Sequence, residues 1–406
     1  MRILIIHRYF WPDTPPYAQM LRMMAERLAS DGHDVTLLST QPSYNPAAQV
    51  PHQPWREQMD GFSVRRVWLF REKRSNLLSR IVNSGFFSLR VAIQILFNRY
   101  DIVMAATAPP VIVAAVASRA ARLKHAKFIY HCQDIHPESS QIAGLIRNPL
   151  LIRLLCRLDR RTCNLAERVV VLSVDMAASL RERGLNDPSK LRIINNFMYG
   201  GQATADAMSY GSASSDADHL RIIFAGNIGH FQGLETFVDA MHRLDDKDGV
   251  KLLLVGEGAA KESLIARAGI LNGTRIVFIP YQPQASVEKL IAASDFGLVT
   301  LQKGVYRVAY PSKIATYLQF GCPLLVCMES NSELAELTTR EEIGVVVSRP
   351  DLTDSIVDAI RSARAMRNRL MGKRNGIRAI GNDLFGREQA LNKWSRLVSE
   401  LDSGKS

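Results

Sequence analysis

Cysteine is scarce in this sequence: its 406 residues include five, an odd number, and no two of them form a CxxC pair. Disulfide frameworks and zinc sites usually need paired cysteines, so the sequence argues against both and fits a reducing compartment. Long apolar runs are also missing, because no stretch reaches the ~20 residues that span a bilayer and none near Met1 suits a signal peptide. We therefore expect a cytoplasmic protein without a membrane span.

Acidic residues are scarce only in the first half. Residues 1–200 contain 27 Lys and Arg against 15 Asp and Glu, whereas 201–406 contain 24 of each, so the net charge of +12 lies entirely in 1–200. Nucleic acid, an anionic membrane or a phosphorylated substrate would each attract such a surface, and a solvated basic surface is the alternative. No recognition-helix or RNA-binding signature is present, so we expect no nucleic-acid partner.

No acidic residue lies between Glu72 and Asp101. Within that stretch, residues 75–99 carry apolar side chains at helical spacing, with arginines between them. Such a helix can lie in a membrane interface, and the alternative is a core helix packed on a sheet. The charge of the first half favours membrane contact. The residues predicted at that surface are Arg80, Phe86, Phe87, Arg90 and Arg99.

Short apolar runs alternate with amphipathic helical stretches along both halves, which indicates mostly parallel sheets covered by helices. We predict an α/β protein with two Rossmann-like domains, at 1–200 and 220–385. A polar, glycine-rich linker at 201–219 would join them, and a C-terminal helix at 386–406 would return to the first domain. Ligands are expected beyond the carboxyl ends of the strands, in a cleft between the domains.

The segment 222–234 begins as a buried strand, continues through Gly226, Asn227 and Gly229, and leads into a helical pattern. Such a loop lets backbone approach a ligand closely, and free N–H groups at a helix start favour an anion such as phosphate. Alone, it is equally well explained as a tight strand-to-helix turn. A similar segment at 252–264 favours the phosphate site.

Several segments together resemble the family 4 glycosyltransferases, in the branch that builds bacterial O-antigen, colanic acid and exopolysaccharides. FAGNIGHFQGLETFVDAM looks like the opening loop of that family's nucleotide-sugar domain, and LLLVGEGAAKESL is similar to its second unit. IPYQPQASVEKLIAASDFGLVTL resembles the next two units, and YPSKIATYLQFGCPLLV the donor-site helix. IHRYFWPDTPPYAQ and YHCQDIHPES match the first domain more loosely. The resemblance implies two facing Rossmann domains (GT-B) and a retaining transfer from a nucleoside-diphosphate sugar, without an obligatory metal.

The family usually has an Arg just after the first glycine and a Lys shortly before the helix, where this chain has Asn227 and Gln232. Lys313 and Arg307 are the best remaining cations for the donor diphosphate. Ser312 is expected to cap a helix with Lys313 in its first turn, and we predict that both touch phosphates. The alternative is an ordinary capped helix start.

A glutamate pair usual in the family is also missing, because the corresponding positions hold Val308 and Thr316. Tyr310, Thr316 or Glu333 are expected to replace its contacts, and Tyr281 is expected near the base. The complete predicted donor site is Gly226, Asn227, Gly229, Gln232, Gly256, Tyr281, Arg307, Tyr310, Ser312, Lys313 and Thr316.

In the first half, His131, Asp134 and Glu138 cluster after a predicted strand and are the predicted catalytic residues. The family usually has a His here that contacts the donor sugar, and its counterpart is either His131 or Gln133. A retaining transfer needs little acid–base machinery, so Asp134 and Glu138 would position sugar hydroxyls. The alternative is that Asp134 caps a turn and Glu138 begins a helix.

The loop after the first strand is rich in aromatic residues and proline. Ring faces suit carbohydrate surfaces, so Trp11, Asp13 and Tyr17 are predicted to bind the acceptor. We expect a hexosyl- or N-acetylhexosaminyltransferase that uses a UDP-sugar and a lipid-diphosphate-linked acceptor at the anionic inner face of the cell membrane. The alternatives are a nucleotide-sugar-binding scaffold without turnover and a sugar-nucleotide epimerase of the same architecture. No cofactor or metal is expected.

Overall fold

A computed structural model describes residues 1–13, 16–43, 50–70, 77–198 and 219–402 of the chain. The predicted linker at 201–219 lies outside these ranges except for His219. The chain divides into two compact units. The first comprises Met1–Tyr199, Val308–Tyr310 and Glu388–Ser406, and the second comprises Gly200–Arg307 and Pro311–Arg387.

The first unit contains an eight-stranded sheet in the order β3-β4-β2-β1-β5-β6-β7-β8. Its strands are β1 (Arg2–Ile6), β2 (Asp34–Thr40), β3 (Arg56–Met59), β4 (Phe62–Val67), β5 (Ile102–Ala106), β6 (Lys127–His131), β7 (Arg168–Val171) and β8 (Leu191–Ile193). Every pairing is parallel except that of β3 with β4. The β3–β4 turn contains Gly61 with φ +86°, a left-handed conformation that glycine tolerates.

Helices cover both faces of this sheet. They are α1 (Pro16–Ser30), α2 (Leu77–Phe97), α3 (Ile112–Leu123), α4 (Glu138–Ile142), α5 (Pro149–Leu165) and α6 (Val174–Glu182). Side chains that alternate along β1 enter different cores: Leu4 packs with α2 and α3, whereas Ile5 packs with α1. The sheet is therefore buried on both faces, as the apolar strands predict.

The second unit contains a six-stranded, wholly parallel sheet in the order β11-β10-β9-β12-β13-β14. Its strands are β9 (Leu220–Ala225), β10 (Val250–Val255), β11 (Ile276–Ile279), β12 (Phe296–Thr300), β13 (Leu324–Cys327) and β14 (Gly344–Val346). Its helices are α7 (Leu234–Arg243), α8 (Lys261–Ala268), α9 (Gln284–Ala292), α10 (Lys313–Gln319), α11 (Glu333–Arg340), α12 (Thr353–Gly372) and α13 (Arg374–Phe385). The last helix, α14 (Arg387–Asp402), belongs almost entirely to the first unit. The predicted fold class is confirmed.

Tyr317 anchors α10 to the sheet of the second unit. Its buried hydroxyl accepts the N–H of Ala225 at 2.9 Å, at the end of β9. The ring lies over Gly297 of β12, where an added Cβ would come within 2.4 Å of the ring. Because the start of α10 is fixed against the end of β9, Lys313 is held beside the Gly226 loop.

The C-terminal helix α14 packs on the first unit, as predicted. Trp394, Leu397 and Leu401 lie in the same core as α1. Arg27 of α1 donates to the Asn392 side chain at 2.7 Å. The last helix therefore completes the core that supports β1 and β6.

Helix α2 has one buried face and one exposed face. Phe87, Val91 and Ile95, four residues apart, are buried against the sheet, so the prediction that Phe87 faces a membrane is wrong. The segment Ser79–Phe97 is nevertheless long and apolar enough to cross a membrane, with a third of it buried. That match rests on length and composition alone, and the buried face is that of a core helix.

We predict that Trp394→Ala lowers the free energy of unfolding by about 3 to 5 kcal/mol, because it leaves a large cavity under α14. Urea unfolding followed by circular dichroism measures the change. Lys393→Ala, one residue earlier on the exposed side of α14, is the matched control and should change the stability little. A wild-type midpoint for Trp394→Ala would show that α14 does not stabilise the first unit.

Candidate active site

Two glycine loops meet at the carboxyl edge of the second sheet. Gly226 and Gly256 have φ of +141° and +139°, and a Cβ on Gly256 would lie 2.0 Å from the carbonyl oxygen of Gly226. The N–H of Ile228 donates to Glu257 O at 2.8 Å. In the described part of the chain, the N–H groups of Asn227 and Gly229 have no acceptor. These two donors suit an anionic oxygen.

Lys313 lies beside this loop. Its Nζ donates to Oε1 of Gln232 at 3.0 Å and lies 3.3 Å from the centre of the Phe224 ring. Its Cε is 3.7 Å from where a Cβ on Gly226 would be. No carboxylate pairs with it among the residues the structure describes. Loss of hydration lowers the pKa of Lys313 well below its ordinary value. An anion here would raise the pKa of the amine again.

The other predicted donor residues are more dispersed. Ser312 precedes α10, but its side chain does not cap the helix, so the predicted cap is wrong. Thr316 lies one turn further along α10, Arg307 ends a 3-10 turn at Val305–Arg307, and Tyr281 follows β11 as an exposed ring. Tyr310 packs against the core of the first unit.

At the carboxyl end of β6, His131 is buried, with 3% of its surface exposed. Its Nδ1 lies 2.8 Å from the Tyr17 hydroxyl, and its Nε2 lies 2.6 Å from Nε2 of Gln133. The edge of the ring also contacts Trp394, with ring centres 4.8 Å apart. Burial lowers the pKa of His131 to about 3, so the imidazole is neutral at physiological pH. It is too well packed and too weakly basic for general acid–base chemistry.

Gln133 and Asn196 extend this network at the edge of the first sheet. The Asn196 amide donates to Oε1 of Gln133 at 2.9 Å, and Gln133 is partly exposed. Asn196 was not predicted, although its place just after β8 is a usable signal, because parallel strands end at one edge. No sequence pattern links Trp394 to His131.

Asp134 is the free carboxyl of this region. The residue pairs with Ala309 in an antiparallel bridge, and the next N–H, of Ile135, donates to Val308 O at 2.7 Å. Among the described residues, the carboxyl has no hydrogen-bond or ion-pair partner. Desolvation raises its pKa to about 6. A capping role is wrong, since α4 begins at Glu138 without a side-chain cap.

Glu138 belongs to a different network. Its carboxylate accepts from Arg183 at 3.2 Å, and Arg183 also donates to the buried Asp159 at 2.8 Å. Asp159 accepts the Tyr130 hydroxyl at 2.7 Å. These contacts tie α4, α5 and α6 together and favour a structural role for Glu138 over the predicted catalytic one.

The three residues predicted to bind the acceptor have different surroundings in the structure. Both oxygens of buried Asp13 accept the N–H of Ser43, at 3.1 and 3.2 Å, so this carboxylate holds a loop. The Arg22 guanidinium lies 4.7 Å over the Trp11 ring. Tyr17 alone joins the His131 network. Within the described ranges, no group of three His, Cys, Asp or Glu is placed to hold a metal ion.

Two family models match the chain. The one described as Glycosyl transferase 4-like domain covers residues 17–196, and the one described as Glycosyl transferases group 1 covers 219–365. An Escherichia coli protein named as a colanic acid biosynthesis glycosyl transferase, WcaI, is 25% identical over 95% of this chain and 100% of its own length.

Solved structures share the fold. Sucrose-phosphate synthase from Thermosynechococcus elongatus has a TM-score of 0.73 at 16% identity, with 100% of both chains covered. Anabaena HepE in complex with UDP-glucose has a TM-score of 0.69 at 14% identity, covering 98% of this chain and 100% of its own. At these identities the likeness shows the fold, GT-B.

We predict that Asp134→Asn stabilises the protein at pH 7.5 and not at pH 4. The pKa of Asp134 is raised to about 6 in the folded state, so the folding free energy becomes less favourable as pH rises from the unfolded value of about 4 through 6. Removing the charge should recover about 3 kcal/mol above that window.

Urea unfolding at both pH values measures this difference. Asp187→Asn is the control, because the pKa of that exposed carboxyl is lowered by hydrogen bonds from Ser189. Equal effects of Asp134→Asn at both pH values would contradict the desolvation of Asp134.

Proposed function

The chain belongs to the family 4 glycosyltransferases, and we propose that it moves a sugar from a UDP-sugar to a lipid-diphosphate-linked saccharide during synthesis of a bacterial surface polysaccharide. The transferred group is a hexosyl or N-acetylhexosaminyl unit, and the transfer retains the anomeric configuration. The name of the colanic acid relative supports the polysaccharide, and the UDP-glucose bound to Anabaena HepE supports the donor class.

The observation that carries this proposal is the Lys313 amine, which has no carboxylate partner among the described residues, beside the N–H groups of Asn227 and Gly229, which have no acceptor there. A diphosphate is the ligand that fits a cation and oriented N–H donors at a glycine loop. Gln232 stands where the family usually has its lysine, and the Lys313 amine hydrogen-bonds to that side chain. The charge missing from the loop is therefore supplied from α10.

In the proposed reaction, Lys313 stabilises the diphosphate as it leaves. The acceptor proton passes to a leaving phosphate oxygen, so no protein base is assigned. Asp134, ionised above about pH 6, faces the partial positive charge of the sugar or fixes its hydroxyls. In this proposal the positive charge that faces the donor diphosphate is the Lys313 amine, and no metal ion is assigned to the reaction.

A basic and apolar surface of the first unit is the evidence in favour of a lipid-linked acceptor. Helices α2, α3 and α5 pack side by side, and together they contain eight arginines and a single acidic residue, the buried Asp159. The outer face of α2 exposes Leu89, Ile93 and Phe97, the last with 82% of its surface exposed. Apolar side chains with arginines and few acids suit the interface of an anionic membrane.

Aromatic side chains flank the exposed face of α2. Trp68 and Phe70 are about half exposed, with ring centres 4.5 Å apart, and Phe70 also contacts Phe86 at 5.9 Å. Tryptophan and phenylalanine favour the headgroup boundary. We therefore place α2 and this aromatic group on the inner face of the cell membrane, with Arg80, Arg90 and Arg99 at lipid phosphates.

We predict that Lys313→Met weakens UDP binding by about 10- to 100-fold, the range for losing a charged hydrogen bond. Since burial lowers the pKa of the free amine and a diphosphate raises it, UDP binding should take up a proton. Affinity should therefore fall as pH rises through the pKa of the complex.

Isothermal titration calorimetry in two buffers of different ionisation enthalpy measures affinity and proton uptake together. Lys313→Arg should keep most of the affinity without proton uptake, because a guanidinium stays charged. Lys247→Met, at an exposed lysine of the second unit, is the matched control. Unchanged UDP affinity in Lys313→Met would contradict the donor site.

We also predict that the outer face of α2 binds anionic lipid. Arg90→Gln with Arg99→Gln should weaken binding to phosphatidylglycerol vesicles about 30-fold, at about 1 kcal/mol for each arginine. Leu89→Ser with Ile93→Ser should also weaken it, without loss of stability, since both side chains are exposed.

Vesicle flotation measures the binding. Ile270→Ser, at an isoleucine of the second unit with 88% of its surface exposed, is the matched apolar control and should bind as wild type does. If the α2 variants float as well as wild type, the membrane surface lies elsewhere.

A further inference from the structure

The hydrogen-bond polarity around His131 follows from how the Gln133 and Asn196 amides are oriented in the structure. The Gln133 amide nitrogen faces the imidazole and only donates, so Nε2 of Gln133 gives a hydrogen to Nε2 of His131, at 2.6 Å. With that orientation the neutral ring carries its own hydrogen on Nδ1 and donates it to the Tyr17 oxygen, at 2.8 Å. The other end of Gln133 agrees with this orientation, since the Asn196 amide donates to Oε1 of Gln133 at 2.9 Å.

Two hydrogen-bond donors of this network are not used within it. Tyr17 accepts from His131, so its own O–H hydrogen is unused, and Gln133 keeps a second amide hydrogen. Neither hydrogen has an acceptor in the ranges that the structure describes. Both side chains are partly exposed, whereas His131 and Trp394 behind them are buried. The two residues that carry these donors are therefore more exposed than the residues that support them.

We propose that His131 is a positioning residue that holds Tyr17 and Gln133 as a pair of neutral donors for sugar hydroxyl oxygens, in the glycosyl transfer proposed above. The two donor groups are themselves uncharged, which suits a hydroxyl better than a phosphate. Trp394 contacts the ring edge, with centres 4.8 Å apart, and keeps it in the plane that serves both partners.

The neighbouring groups support a neutral network. His7 contacts the Tyr17 ring, with ring centres 4.8 Å apart, and burial lowers the pKa of His7 to about 4. Burial also raises the pKa of the Tyr17 hydroxyl above its ordinary value. Neither residue places a charge beside His131 near neutral pH. The network then changes by tautomer and not by protonation.

One substitution should reverse the network. In Asn196→Asp, the new carboxylate cannot donate, so the Gln133 amide must turn and present its oxygen to His131. The imidazole hydrogen then moves to Nε2, and Nδ1 takes the hydrogen of Tyr17. Asn196→Ala removes the same contact without reversing it and is the matched control.

Long-range ¹⁵N–¹H NMR of the free protein reads the tautomer directly. Wild type and Asn196→Ala should show the Nδ1–H form, and Asn196→Asp the Nε2–H form. A wild-type Nε2–H form, or no change in Asn196→Asp, would overturn the inference. A purely structural role for Asn196 predicts no such change.

Turnover tests the role of the donors. With UDP-glucose and UDP-N-acetylglucosamine as donor probes, Asn196→Asp and Gln133→Glu should lower kcat about tenfold while UDP affinity stays as in wild type. Loss in donor hydrolysis without acceptor places the hydroxyl on the donor sugar. A raised KM for a synthetic N-acetylglucosaminyl-diphospholipid places it on the acceptor instead.

A tautomer change with unaltered kinetics would overturn the positioning role. If wild type turns over neither probe, that result counts against the proposed function alone, since the NMR measurement needs no substrate. The tautomers of wild type and Asn196→Asp then decide whether His131 holds the two donors.

Discussion

The parallel pairing of strands is the constraint on which both units depend. A parallel neighbour requires the chain to cross back over the sheet, so each strand is followed by a helix or a long loop. The carboxyl ends of the parallel strands then lie at one edge of each sheet. Residues distant in sequence meet there for that reason: Gln133 after β6 with Asn196 after β8, and Gly226 after β9 with Gly256 after β10.

Loss of hydration changes the pKa values of the ionisable side chains near these sheet edges. Lys313, Asp134 and His131 each lose hydration, which disfavours the charged form of each side chain. The pKa values of Lys313 and His131 are therefore lowered, and that of Asp134 is raised. The consequences differ because the partners differ. His131 is satisfied by neutral neighbours and stays neutral, whereas Lys313 and Asp134 lack an opposite charge among the described residues. An incoming diphosphate and a developing sugar cation are the charges that would complete them.

The supporting ion pairs show why position in sequence is a poor guide to role. Glu138 lies four residues from Asp134, yet it faces Arg183 and the layer of α4, α5 and α6. Asp13 lies in an aromatic loop suited to carbohydrate, yet its carboxylate holds the backbone at Ser43. In both cases a buried or half-buried carboxylate is satisfied by protein donors, which leaves it unavailable to a substrate.

The alternation of apolar runs and amphipathic stretches determined the α/β class, because strand and helix periodicities are local properties of the chain. The glycine loops and the segment 310–326 likewise indicated the family and predicted a donor-site role for Lys313. Other features depended on contacts between distant segments. Only the tertiary structure showed that Lys313 reaches Gln232, that Phe87 faces the core, and that Trp394 supports His131. Such pairings depend on how layers pack, and a one-dimensional pattern does not record which face of an element its distant neighbours cover.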